Sequence, residues 1–172
     1  MTPTARAPHQ RDPSRGWWEL IPRRALVASL PFSTTLGAEE VAAAITEGLR
    51  AGGGAEPDVL VLSAGRRRPL EARGAAPRTP GGPLELAGFD ERLRRAKALI
   101  VASGRLERAH LRATPEFEIL TRARQAGVPA YAICGDARLD AFDARLLDLQ
   151  VVIEARTARA LNAAARRLAP LL

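Results

Sequence analysis

The chain has 172 residues, of which 47% are hydrophobic and 26% are charged, a balance typical of a globular domain. No apolar run approaches the length that crosses a bilayer, and the first residues lack the apolar core of a secretion signal. The one cysteine, Cys134, excludes an internal disulfide. We therefore expect a cytoplasmic protein with no membrane partner.

The formal net charge of +7 raises the question of a nucleic-acid partner. Lys97 is the single lysine among the 26 basic residues, which points to a GC-rich coding bias that favours arginine. Aromatic residues make up only 4% of the chain, so few side chains could stack on nucleic-acid bases. The composition makes a nucleic-acid partner unlikely.

Residues 1–24 are rich in proline and arginine and show no periodicity, so they are predicted to be a disordered tail. The pair Trp17-Trp18 is the exception within this tail. It is expected to dock on the domain that follows, and the alternative is an aromatic pair that binds a partner protein.

Five short apolar runs rich in Val, Ile and Leu predict strands that are covered on both faces. The runs are Ala25–Leu30, Val59–Ser63, Ala98–Ser103, Ala130–Cys134 and Val151–Glu154. The spacing of apolar residues between and after these runs predicts five helices. In chain order, the apolar residues that mark them are Val41 with Ile45 and Leu49, Phe89 with Leu93, Phe117 with Leu120, Leu146 with Leu147, and Leu161 with Leu168. Three of these helices have recognisable starts, at Gly37 with Glu40, at Thr114-Pro115-Glu116, and at Asp140 with Asp143.

This alternation predicts one α/β domain over residues 25–172. Its expected architecture is a three-layer, doubly wound, parallel five-stranded sheet in the flavodoxin-like order 2-1-3-4-5. Residues 65–88 interrupt the pattern with an irregular loop rich in Arg, Gly and Pro. The run Arg66–Arg68 in this loop could bind an acidic protein partner, although a solvated loop is the simpler interpretation.

The predicted strand order places a ligand crevice at the carboxyl ends of strands one and three. Ser33, Thr34 and Thr35 follow the first strand and would offer hydroxyls beside a helix N-terminus. Ser103-Gly104-Arg105 follows the third strand and adds a guanidinium suited to phosphate or carboxylate. The alternative for the hydroxyl residues is simple helix capping.

Other chemical candidates are weaker. Cys134 and His110 could form a nucleophile pair, but a lone cysteine that closes a buried strand is usually a core residue. Asp136, Asp140 and Asp143 have spacings that suit turns and helix caps better than a metal site. Neither of the glycine-rich nucleotide-binding loops with standard spacing is present.

The same stretches resemble the two-domain, bacterial type of glycerate kinase. Phe32, Leu36 and Ala38-Glu39-Glu40 match the motif that leads into that family's first helix, and Gly104-Arg105-Leu106 matches its third motif. Gly127-Val128-Pro129 also fits. The resemblance covers about residues 25–172 and implies ATP-dependent phosphorylation of glycerate with Mg²⁺.

The charged positions of the family's motifs differ in this chain. Leu30 stands for the family's Asp, Ser33 for its Lys and Ser103 for its Glu, while Glu107 replaces an Asp. The family's second domain would be inserted where the chain has its loop at 65–88. Phosphoryl transfer depends on positioned cations and metal ligands, so the resemblance predicts weak or absent catalysis.

Within this resemblance, Ser33, Thr34, Thr35, Ser103 and Gly104 are the residues expected to line an ATP or ligand site. Arg105 would bind an anion such as glycerate, and Glu107 would serve as metal ligand or base. Two alternatives stay open. One is a non-catalytic module for a small anion or nucleotide, and the other is a partner that completes another chain through Trp17-Trp18 and the arginine loop.

Overall fold

The computed structural model describes residues 23–62, 84, 87–107 and 114–172. Five parallel strands form a sheet in the order β2-β1-β3-β4-β5, which confirms the predicted architecture. The strands are β1 Ala25–Ser29, β2 Asp58–Val61, β3 Ala98–Glu107, β4 Ala130–Arg138 and β5 Leu149–Glu154. The predictions for the tail, Trp17, Trp18, the arginine loop and His110 concern positions outside the described residues.

The described helices occupy both faces of the sheet. They are α1 Ala38–Ala51, α2 Phe89–Arg95, α3 Pro115–Gln125, α4 Ala141–Leu146 and α5 Ala158–Leu168, and a 3₁₀ turn over Ala169–Leu171 follows α5. In this part of the chain, no helix combines the length and the apolar character that crossing a membrane requires.

The helix starts follow the local sequence. The backbone N–H of Gly37 donates to Glu40 Oε2 at 3.2 Å, so an acidic side chain in the first turn of α1 satisfies a free donor. Asp140 Oδ1 accepts from the backbone N–H of Asp143 at 2.7 Å and caps α4 as predicted. Asp143 itself lies within the first turn of α4 and is buried.

Two hydrophobic layers enclose the sheet because alternate residues of each strand point to opposite faces. One layer joins Leu26, Leu99 and Val101 to α2 and α3, and the other joins Val27, Ile100 and Ile133 to α1 and α5. Helices α1 and α5 pack closely, since a Cβ at Gly48 would lie 2.8 Å from the Cβ of Ala165. This packing holds both helices against the central strands.

Two strands extend further than their apolar runs predict. Ser103-Gly104-Arg105 was expected to be a loop, but β3 continues to Glu107 and stays paired with β4 as far as Arg138. Pairing continues because the neighbouring strand still supplies backbone partners and places Asp136 beside Arg105, with opposite charge.

Candidate ligand-binding site

The strand order places the crevice of this fold at the carboxyl ends of β1 and β3, where the chain turns toward opposite faces of the sheet. The chain leaving β1 passes through Pro31 and Phe32 before α1 begins. On the neighbouring strands, Gly104 of β3 lies directly beside Gly135 of β4 in the register of the sheet.

The backbone of Phe32 lies against this glycine pair. A Cβ at Gly104 would lie 2.9 Å from the Cα of Phe32, and a Cβ at Gly135 would lie 2.7 Å from the carbonyl oxygen of Gly104. Contacts this close leave no room for a side chain at either position. On the face covered by α1 and α5, the chain itself therefore fills the space at the ends of β3 and β4.

The hydroxyl residues of the predicted site stabilise their own loop. Ser33 Oγ accepts from the backbone N–H of Thr35 at 3.2 Å and from that of Leu36 at 3.0 Å. It also lies 3.1 Å from Thr35 Oγ1, and all three of Ser33, Thr34 and Thr35 are exposed. These contacts lie within the loop that precedes α1, whose N-cap is Gly37 without a side-chain cap, so the Ser33 hydroxyl stabilises a turn and does not cap the helix.

A different polar group lies on the opposite face of the sheet, where α3 begins. Ser103 is 3% exposed, and its hydroxyl donates to Glu116 Oε1 at 2.5 Å. The second oxygen, Glu116 Oε2, is buried and has no hydrogen-bond partner among the described residues. Buried polar atoms are almost always satisfied in folded proteins, so this oxygen calls for an explanation.

Sequence reasoning assigned Glu116 only to the start of a helix. That assignment is correct, since α3 starts at Pro115, one residue before Glu116. The missing information was that Ser103, the last residue of the predicted third strand, points toward the start of α3 and contacts Glu116. Ser103 itself was among the predicted site residues.

Arg105 and Glu107 belong to a cluster of four charges at the ends of β3 and β4. Arg105 Nη1 lies 3.7 Å from Glu107 Oε2, and Arg105 Nε lies 3.4 Å from Asp136 Oδ2. Arg138 Nε donates to the same Asp136 oxygen at 3.0 Å. The two arginines and two carboxylates balance one another, so the cluster has no excess positive charge to attract an anion.

Arg105 is nevertheless able to change partners. Its side chain is 58% exposed, and exposed ion pairs contribute only about 0.2–1 kcal/mol. A carboxylate or phosphate that binds both guanidinium nitrogens could replace its present contacts at small cost. In the described ranges, no three His, Cys, Asp or Glu side chains are grouped to hold a metal ion, and Glu107 remains a single candidate ligand.

Cys134 is fully buried within β4. Burial raises the pKa of its thiol to about 12, and the negative charges of Glu154 and Asp136 add to the shift. The group therefore stays protonated at neutral pH, which is unfavourable for a nucleophile because the thiolate is the reactive form. The environment supports the interpretation of Cys134 as a core residue.

Searches against known proteins add no relative. No family model, no curated protein and no solved structure matches the chain.

The contact at Gly104 yields a stability prediction. Gly104→Ala should destabilise the fold by about 1–3 kcal/mol, because the added methyl group forces Phe32 away from β3. Urea unfolding would measure the change. Gly37→Ala is the control, since a Cβ at Gly37 has no neighbour within 4 Å, and it should cost less. Equal losses in the two variants would contradict the close packing.

The buried thiol yields a prediction on pH. The free energy of unfolding should fall as the pH rises from 9 toward 12, because the thiol ionises near 9.0 in the unfolded chain and near 12 in the folded one. Unfolding curves of wild type and Cys134→Ala across this range would isolate the thiol from Tyr131 and Lys97. Identical pH dependence in both proteins would show that the thiol is not buried as described.

Proposed function

We propose that this chain is a glycerate-kinase-like binding domain, and that its ligand is a small hydroxy acid held at the carboxyl ends of β3 and β4. The observation that carries the proposal is the buried Oε2 of Glu116, which has no hydrogen-bond donor among the residues that the structure describes. An unsatisfied buried acceptor costs about 1–3 kcal/mol, and more when the group is charged. A ligand hydroxyl would supply the donor and remove that cost.

The position of Arg105 supports a ligand that carries a hydroxyl group at one end and a carboxylate at the other. Arg105 lies close to this group, since the Ser103 hydroxyl that contacts Glu116 also lies 3.4 Å from the backbone carbonyl oxygen of Arg105. A hydroxyl on Glu116 and a carboxylate on Arg105 would together match a short hydroxy acid. The sequence resemblance independently implies glycerate, which carries both groups.

The balanced charges argue for this class over a module that binds any small anion. Glu107 and Asp136 both contact Arg105, so a simple anion must compete with two carboxylates for one guanidinium. Glu116 adds another negative charge beside Ser103. A ligand that also donates a hydrogen bond gains an interaction that an acceptor-only anion such as acetate cannot make.

We further propose that phosphoryl transfer from ATP is slow in this chain. Ser33 stands where the resemblance implies a lysine, so this position supplies no cation. Glu107, the candidate metal ligand or base, faces Arg105 at 3.7 Å. Phosphoryl transfer depends on electrostatic stabilisation of the moving phosphoryl group, and these substitutions remove it.

A thermal-shift titration tests the binding proposal. D-Glycerate at a hundred times its dissociation constant should add about 2.7 kcal/mol and raise the unfolding midpoint by several degrees. Propionate, which lacks hydroxyls, and glycerol, which lacks the carboxylate, should have much smaller effects. Phosphoglycerates and ATP, with and without Mg²⁺, complete the series and test the nucleotide alternative.

Variants connect the shift to the named residues. Glu116→Leu should abolish the response to glycerate, since it removes both oxygens that could accept the ligand's hydrogen bond. Glu118→Leu, an exposed change on the same helix, should leave it intact. No glycerate response in the wild type, or an unchanged response in Glu116→Leu, would overturn the proposal. Rapid ADP release that is lost in Glu107→Gln would overturn the claim of slow transfer alone.

A further inference from the structure

The arginines beside the proposed ligand site differ in how firmly they are already held. Arg138 Nε donates to Asp136 Oδ2 at 3.0 Å, and Arg156 Nε donates to a backbone carbonyl oxygen of β4 at 2.7 Å. The contacts of the Arg105 guanidinium are longer, at 3.4 Å to Asp136 and 3.7 Å to Glu107. Of these three described arginines, Arg105 is therefore the one that a ligand carboxylate can take over at the smallest cost.

Two carboxylates accompany Arg105 and are less exposed than it is. The side chain of Glu107 is 23% exposed and that of Asp136 is 27% exposed, whereas that of Arg105 is 58% exposed. Charges that are partly withdrawn from water act more strongly on a neighbouring ion, because solvent and salt screen them less. A second negative group on a ligand would therefore be repelled, since the first has already taken Arg105.

We propose that Glu107 and Asp136 restrict the proposed site to hydroxy acids with one negative charge, and that they exclude dicarboxylic and phosphorylated hydroxy acids. This inference rests on the proposed function, because it concerns the ligand held between Arg105 and Glu116. Specificity of this kind comes from repulsion of the wrong ligand as well as from attraction of the right one. A phosphate ester adds about 1.5 to 2 negative charges at neutral pH, so it is excluded more strongly than a second carboxylate.

Ligands that share one CHOH–carboxylate unit test the charge restriction by isothermal titration calorimetry. D-Lactate carries a methyl group on this unit, D-malate carries a CH₂–carboxylate group, and 3-phospho-D-glycerate carries a CH₂–phosphate group. D-Lactate and D-glycerate should bind with similar affinity. D-Malate should bind about tenfold more weakly, because its second carboxylate is repelled by two half-buried carboxylates. The phosphoglycerate should bind more weakly than D-malate.

An uncharged analogue of D-malate separates the effect of charge from that of size. In its monoamide, the carboxylate remote from the hydroxyl-bearing carbon is replaced by an amide. This compound has nearly the shape of D-malate and a single negative charge, so it should bind as D-lactate does. If the monoamide binds as weakly as D-malate, the site excludes by size and the proposed role of charge is wrong.

Removal of either carboxylate should relax the discrimination. Asp136→Asn removes a negative charge and weakens the hold on Arg138, so the affinity for D-malate should rise about fivefold more than that for D-lactate. Glu107→Gln should act in the same direction, and it provides a second variant if Asp136→Asn folds poorly. Asp148→Asn is the matched control, because it removes the same charge just before β5 begins, at the opposite end of the sheet. It should leave the ratio of the two affinities unchanged.

The outcomes distinguish this inference from the function on which it rests. No binding of D-glycerate or D-lactate by the wild type would overturn the proposed function itself. Binding of D-glycerate together with equally tight binding of D-malate and 3-phospho-D-glycerate would overturn the charge restriction alone. An unchanged affinity ratio in both Asp136→Asn and Glu107→Gln, or an equal change in Asp148→Asn, would show that these two carboxylates do not set the specificity.

Discussion

The close approach of Phe32 to the glycine pair at Gly104 and Gly135 is the constraint on which the carboxyl ends of the central strands depend. Without side chains at these two positions, the backbone after β1 can cross the end of β3 and fill the face below α1 and α5. The polar residues of β3 near this point are Ser103, whose hydroxyl contacts Glu116 at the start of α3, and Arg105, which pairs with Asp136.

Electrostatics then separates two kinds of polar group at this end of the sheet. One kind is an exposed or half-buried group of ion pairs formed by Arg105, Glu107, Asp136 and Arg138. Replacing one partner in these pairs by a ligand costs little free energy, because exposed ion pairs contribute little to stability. Glu116 differs, because one of its oxygens accepts from Ser103 while the other is buried without a hydrogen-bond partner in the described part of the chain. That contrast is the physical basis for proposing a ligand that donates a hydrogen bond as well as accepting one.

The last strand and the residue that follows it support the end of the sheet where the ligand site is proposed. Glu154 accepts from the backbone N–H of Ala137, and Arg156 donates to the carbonyl oxygen of Gly135 at 2.7 Å. Both contacts hold the extended end of β4 beside the last strand.

The sequence by itself determined the strand count, the parallel order and the helix starts. Continuous apolar runs and caps such as Asp140 are local signals, and chain connectivity restricts how parallel units can be arranged. Only the tertiary structure decided how far β3 and β4 extend, that Phe32 fills one face, and that Ser103 meets Glu116. These features depend on contacts between residues that are distant in sequence. Pairing with a neighbouring strand keeps polar residues in a strand although their polarity would predict a loop, and the spacing of residues in the sequence does not indicate which distant residue a side chain contacts.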